Sequence, residues 1–506
     1  MDSPRLANID PGSDWTRLST RAFADAARRS GALAVLPVFG IGDHGLGLPL
    51  DIEEVLGAEI VRRACAALRT AGGAPLVLPP LRLGPAPYPA QRFGIDPDLG
   101  LDWLGEVADG VRRGGFSRLA FVTSSPWHRE WIDTAALDIH AAHGLQVFKL
   151  HLADIGLTLH PAAAMSDRAV VQAAGAALLG VAPEPVATGE QSDVDFRPGR
   201  FARPSPVDQA ALPAGFDAGL WLGGVGARCA KLLGEAGGLA VDVDNAPASG
   251  APWRPYGERY LPGLTPRAWS ALGDLRGATA ILPVSAVEQH GPHLPLGVDA
   301  MLGEGLLQAA LRRLPADAPV WVAPPLNVGK SVEHRDFAGT LSVSSRTLRA
   351  LLTSQVGELH ALGFGTVAIW NTHGGNSAVL NYTVRELQAL PGLRVGRLES
   401  GFKPELDPQE AAFGFHAGRW ETALMLALAP ELVDRPAAVC DYPARLDGPG
   451  VLRPERAAIT HAWMTSALSS SGVMGDATAA TLAEGAAWLE SAADGLADAI
   501  GRLVKK

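Results

Sequence analysis

The chain alternates short, wholly apolar runs with longer segments that are apolar on one face only. ALAVLPV (from Ala32) and ATAILPV (from Ala278) show no polar alternation. Such runs suit strands buried on both faces of a parallel sheet. In each half a polar-punctuated helix precedes the run, and a loop and an amphipathic helix follow it. In the second half that helix is expected at about 300–314. A second apolar run ending in Pro-Pro comes next, then a helix at about 345–362 and the strand TVAIW at 366–370. Strands alternating with helices predict an α/β fold, here two similar three-layer α/β/α domains with mainly parallel central sheets. In such sheets ligands gather at loops beyond the carboxyl ends of the strands. The last segment, about 476–503, places Leu482, Ala486, Leu489, Ala493, Leu496, Ile500 and Leu503 at steps of four and three, the mark of a packed helix.

The two halves are copies. LSTRAFADAARRSGALAVLPV from Leu18 matches LTPRAWSALGDLRGATAILPV from Leu264, 246 residues later, and the match runs on through GDHGLGLPLDIEEVLG and EQHGPHLPLGVDAMLG. LVLPPLRLG from Leu76 answers WVAPPLNVG from Trp321 at an offset of 245. A period this long marks a duplicated domain. The expected division is a first domain over 1–235, a Gly-, Pro-, Ala- and Asp-rich linker over 236–262 that packs in part as an ordered arm, and a second domain over 263–506.

Composition narrows the function. The 506 residues carry a formal charge of −10, which argues against a nucleic-acid partner. Cys65, Cys229 and Cys440 are isolated from one another and read as buried small hydrophobes in a reducing compartment. The first residues are polar, without an apolar leader core, and no uncharged apolar stretch reaches the roughly 18 residues of a membrane span. A cytoplasmic protein without a membrane partner is expected.

The chemistry concentrates in the second half. Glu288-Gln-His290-Gly-Pro-His293-Leu-Pro-Leu-Gly-Val-Asp299 follows a buried strand directly and delivers two carboxylates and two imidazoles in one loop. This mixture of nitrogen and oxygen donors suits zinc, manganese or iron. Asp299 alone reads equally well as a helix cap. Asn371-Thr-His373-Gly-Gly-Asn376 supplies a histidine at a strand's carboxyl end. His416-Ala-Gly-Arg-Trp-Glu421-Thr422 opens a helix from which His416 and Glu421 reach the same site, and the polar stretch from Gly329 to Thr340 is a candidate substrate loop.

LPVSAVEQHGPHLPLGVD, GKSVEHRDFAGTLS, NTHGGN, HAGRWET and SGVMGDATAAT occur in order across the second half, which resembles the creatininase (creatinine amidohydrolase) family. The resemblance implies a metal-dependent hydrolase that cleaves a carbon–nitrogen bond of a cyclic amide or formamide with metal-activated water. Glu288, His290, Asp299 and His373 match metal ligands, with Asp299 as the bridge between two ions. His416 and Glu421 match the catalytic helix start, where Glu421 is either a ligand or a proton carrier. Ser331, His334 and His293 are the expected substrate-binding residues. One or two divalent ions per chain are implied. So is a homo-oligomer of fewer chains than the single-domain relatives use, a trimer for instance. A hydrolase of a ring lactone or cyclic ketone and a non-catalytic small-ligand-binding protein are the alternative readings.

Two departures qualify the match. Creatininase carries a glutamate two residues after the histidine matched by His373, and here that position is Gly375. Arg419 stands where many members are acidic. In the first half Glu288, His290, His293 and Asp299 correspond to Gly42, His44, Gly47 and Glu53, Ser125 falls at the His373 position, and 187–190 answers the HAG region without its histidine. This half is expected to be a copy without chemistry that replaces one subunit of an ancestral dimer.

Overall fold

The computed structural model describes residues 4–86, 91–186, 206–246, 252–443, 452–453, 455 and 459–504. The 187–190 counterpart of the HAG region therefore lies outside the described residues. The first half holds a parallel sheet of β1 (Ala32–Val38), β2 (Ala74–Val77), β3 (Arg118–Thr123) and β4 (Gln146–His151), in the order β2-β1-β3-β4. The second half repeats it with β5 (Thr279–Val284), β6 (Val320–Val322), β7 (Thr366–Asn371) and β8 (Arg394–Leu398), in the order β6-β5-β7-β8. Both apolar runs, ALAVLPV and ATAILPV, are central strands flanked on both edges, which is why they carry no polar alternation.

Helices cover both faces of each sheet. In the second half Ser345–Ala361 and Ser377–Leu387 pack on one face, and Val298–Leu311, Arg419–Leu428 and Leu482–Val504 on the other. Leu482–Val504 starts six residues after the expected 476, because Gly475–Asp476 pairs with Cys440–Asp441 as an antiparallel strand. Thr481 then starts the helix as its cap, accepting from the Glu484 amide and donating to the Glu484 carboxylate. That short strand also places Cys440 on the surface, a correction to the buried reading, whereas Cys65 and Cys229 are buried. Helix Ala218–Gly237 runs just past 235, and Gly257–Arg259 and Leu261–Gly263 form ordered turns within and at the end of the expected linker.

The halves meet around a local two-fold axis. Leu296 N donates to Leu18 O and Leu50 N to Leu264 O, and Gly297 N donates to Thr16 O and Asp51 N to Pro262 O. Each pair is its counterpart shifted by 246 residues, the signature of an isologous interface. Helices Pro97–Arg113 and Ser345–Ala361, equivalent elements, pack together at the seam. One apolar core runs through it, joining Leu36, Trp103 and Phe121 to Leu282, Leu352 and Ile369.

Candidate metal centre

Three loop systems converge beyond the carboxyl ends of β5 and β7. Glu288 and His290 leave β5, and His373 leaves β7. Asp299 lies one residue into helix Val298–Leu311, whose cap is Gly297 without a side-chain bond. Asp299 is thus not the helix cap; its carboxylate faces His290 and His373. His373 Nδ1 lies 3.1 Å from Asp299 Oδ2 and 3.4 Å from Glu288 Oε1. His290 Nε2 lies 3.5 Å from Asp299 Oδ1 and 3.8 Å from Glu421 Oε2. Gly291, at φ 71°, makes the bend between Glu288 and His293.

The outer ring nitrogens are committed. His290 Nδ1 donates to Glu288 O at 3.1 Å and His373 Nε2 to Lys330 O at 2.9 Å. These bonds turn His290 Nε2 and His373 Nδ1 inward toward the carboxylates, the usual orientation of metal-ligating histidines. His290 Nε2 is buried and makes no hydrogen bond, approaching Asp299 and Glu421 only at 3.5 and 3.8 Å. A buried polar atom held this way is costly, and a cation among these groups removes the cost. Three donor sets have their ligand atoms within 4.8 Å of one another: Glu288, Asp299 and His373; His290, Asp299 and Glu421; and Glu288, His290 and His416. The residues present fit a divalent cation.

Charges follow the same geometry. Burial pulls His290 and His373 down, yet the surrounding carboxylates outweigh it, holding His290 at about 9 and His373 well above its usual value. Burial pushes Asp299 up, but the two imidazoles win and keep it well below the carboxylate range. Burial raises Glu288, and raises Glu421 to about 7. Burial and neighbouring imidazoles hold His416 and His334 well below the usual histidine value, so both are neutral at pH 7.

The other expected site residues surround this core. His416 precedes helix Arg419–Leu428 and sits on a two-residue bridge to Met474; its Nε2 faces Gln289 O at 2.8 Å, and its Nδ1 lies 3.7 Å from Glu288 Oε1. Ala417 follows at φ 53°, a left-handed turn unusual for a residue with a Cβ, and its amide donates to Glu421 Oε2 at 2.5 Å. Ser331 Oγ donates to Glu288, and His334 Nε2 lies 3.4 Å from the same carboxylate, so both residues of the expected substrate loop face Glu288. His293 is fully buried, with Nε2 at 2.9 Å from Thr422 Oγ1, and braces the helix that carries Glu421.

Sequence reasoning missed Gln289 and Glu410. Gln289 contacts His334, His416, the Gly472 carbonyl and the Gly291 amide, joining loops from four parts of the second half. Glu410 accepts from the Arg419 and Asp476 amides and from Tyr442 Oη, and anchors the turn after His416. Gln289 carried a signal, lying between two ligands; Glu410 carried none. A cavity of about 550 Å³ opens onto His416 and Glu421 and is walled by Phe402, Leu406, Phe415 and Trp420.

In the first half the corresponding groups bond to one another. His44 Nε2 meets Glu53 Oε1 at 3.0 Å, His44 Nδ1 faces Leu159 O at 3.0 Å, and Glu53 Oε2 accepts from Gly40 N at 2.5 Å. Ser125 Oγ adds a 3.3 Å contact to Glu53 Oε1. Among the described residues this half contains none of the clustered donor sets.

The creatininase (creatinine amidohydrolase) family pattern matches residues 16–184 and 266–500. The mycofactocin precursor peptide peptidase of Mycolicibacterium smegmatis is 33% identical over 224 residues, covering 44% of this chain and 84% of that protein. The creatinine amidohydrolase of Pseudomonas putida is 31% identical over 240 residues, covering 44% of this chain and 87% of that protein. A crystal structure of creatinine amidohydrolase (creatininase) aligns with 29% identity and a TM-score of 0.38, over 49% of this chain and 98% of that one. No helix among the described residues is long and apolar enough to cross a membrane. The family match falls on both halves, and the chain belongs to the creatininase family of hydrolases as a tandem member.

Proposed function

We propose that the second half is a metal-dependent amidohydrolase that cleaves a carbon–nitrogen bond of a cyclic amide or formamide. The observation that carries this reading is the pair of donor sets sharing Asp299, one of which includes Glu421 at the edge of an open cavity. Glu288, Asp299 and His373 would hold one ion, and His290, Asp299 and Glu421 a second. A bound divalent ion supplies a nucleophilic water at neutral pH and polarises the substrate carbonyl.

The protein's own groups do the rest. Glu421 takes the ligand position left open by Gly375. A side chain at 375 has no room, since a Cβ there would lie 2.1 Å from Glu333 Oε1 and 2.6 Å from Lys330 O. His416, neutral and donating from Nε2 to Gln289 O, keeps a lone pair at Nδ1 toward Glu288; there it would take a proton from the attacking water and pass it on to the leaving nitrogen, a role usually contributing about 10²–10⁴-fold. Ser331 and His334 hold Glu288 in place. The first half is structural in this reading.

A second reading, a peptide amide as substrate, is favoured by the cavity. Its 550 Å³ lies in the range that encloses a drug-sized ligand, well beyond a single small ring. The relative in M. smegmatis is named a precursor peptide peptidase. Elemental analysis of the purified protein and turnover of a panel of formamides, cyclic amides and short peptides test both readings. Two ions in the unaltered chain and one in Glu421→Gln, with a turnover loss of about 10²-fold, are expected. Full metal content in Glu421→Gln with unchanged turnover would sink the assignment.

A further inference from the structure

The first half touches the metal centre without lining its cavity. Ser19 forms an antiparallel bridge with Pro295, and the Leu18 and Thr16 carbonyls each accept at 2.9 Å, from Leu296 N and Gly297 N respectively. Pro295–Gly297 is the stretch of loop that leads into Asp299. On its other side the Leu296 carbonyl accepts from Glu288 N at 2.9 Å. One residue is therefore gripped by the first half through its amide and by a metal ligand through its carbonyl.

A second contact runs through Trp15. Its indole is fully buried, and Nε1 donates to Gly339 O at 2.8 Å. The adjacent Thr340 Oγ1 accepts from Gln289 N at 3.1 Å, between Glu288 and His290. The gripping segment is itself fixed, since Asp14 Oδ1 accepts from Thr16 N at 2.9 Å and from Thr16 Oγ1 at 2.7 Å. The approach is close enough that a Cβ on Gly297 would meet Thr16 Cβ at 2.9 Å.

The two-fold repeats the backbone grip on the other side, where Leu264 O and Pro262 O hold Leu50 N and Asp51 N. The loop held there has Gly42 in place of Glu288 and carries no donor set among the described residues. Only one of the two grips bears on chemistry.

We propose that the first half is a built-in positioning partner of the metal centre, in which Trp15, Thr16 and Leu18 set the ligand loop so that Glu288 and Asp299 converge before a cation arrives. This rests on the metal-centre reading. Trp15 and Thr16 act as positioning residues, and loss of such outer support typically weakens metal binding about 10–100-fold.

The experiment uses the full-length, metal-stripped chain and Mn²⁺ as the probe. Trp15→Phe removes the N–H but keeps a ring against Phe23 and Phe116. Leu261→Val perturbs Trp15's twin on the silent side. Trp15→Phe is expected to raise the Mn²⁺ Kd about tenfold and to speed hydrogen exchange at the Leu296 and Gly297 amides. Leu261→Val is expected to leave the Kd unchanged while lowering the thermal midpoint. An unchanged Kd in Trp15→Phe, or equal Kd shifts in both variants, would overturn the proposal. An unaltered chain that binds Mn²⁺ but hydrolyses no amide would instead defeat the amidohydrolase reading and leave the positioning role standing.

Discussion

The two halves share a sheet order and a loop course, yet their histidines and carboxylates stand in opposite states. In the second half His290 Nε2 is 3.5 Å from the nearest Asp299 oxygen and 3.8 Å from Glu421 Oε2, both too far for a good hydrogen bond. In the first half its twin His44 bonds Glu53 at 3.0 Å, and Glu53 also accepts from Gly40. Burial pushes Glu53 up, but His44 outweighs it and holds Glu53 below its usual value. The difference teaches that losing a site takes more than losing ligands. The remaining groups must find each other, and the one-carbon-longer Glu53 in place of aspartate spans the gap that a cation would otherwise bridge.

The comparison breaks first at His373. His373→Ala should remove the ion assigned to Glu288, Asp299 and His373 and lower turnover by roughly 10³-fold, since a metal supplies several kcal/mol of transition-state stabilisation. Ser125→Ala, its twin, should change neither metal content nor turnover. Elemental analysis and initial rates decide both; undiminished metal in His373→Ala would contradict the assignment.

His44→Ala sharpens the contrast from the silent side. It leaves the buried Glu53 without its hydrogen-bonding imidazole, and leaving a buried polar group without its partner costs about 1–3 kcal/mol. A lowered denaturant midpoint with metal content unchanged is expected, and metal loss in this variant would show that the first-half pair serves the second-half site.

Glu304 tests the seam, where its twin is Ala58. Burial pushes Glu304 up to about 8, against the pull of Arg82. An unfolded glutamate releases its proton near 4.5, so between there and about 8 the folded state binds more protons. Stability is therefore fullest below the unfolded value and falls as pH rises through that window, by about 5 kcal/mol. Thermal melts of the unaltered chain should show this slope and Glu304→Gln should flatten it; parallel slopes would exclude Glu304 as the cause.

The smallest effect is expected at Arg346, whose exposed pair with Asp102 crosses the seam at 2.6 Å. Arg346→Ala should cost less than about 1 kcal/mol and fade in high salt. A larger loss in melts would mean that surface charge, and not the shared core, holds the halves together.

Much of this was legible in the sequence, for physical reasons. ALAVLPV and ATAILPV read as central strands because burial on two faces removes polar positions. Gln146–His151 and Arg394–Leu398 did not, because each is an edge strand with several exposed or half-exposed residues and no continuous apolar run. The chemistry of Glu288, His290, Asp299 and His373 showed as residue types at strand ends. The direction of a side chain does not show in the same way. His293 lies in the same loop as Glu288 and His290 but turns to Thr422, and Glu410 reaches the HAG turn only through tertiary packing. Cys440 is exposed because of a two-residue strand too short to leave a pattern.

The reciprocal backbone pairing at the seam has an evolutionary consequence. In a homodimer every substitution on a self-complementary surface appears twice, so a change that helps one active site is imposed on the other. Once the two copies are covalently joined, each side mutates alone. The seam already records this: matching backbone bonds are carried by unlike residues, Thr16 against Pro262, with Trp15 against Leu261 beside them. Tandem duplication leaves a two-fold contact whose two sides can be selected separately.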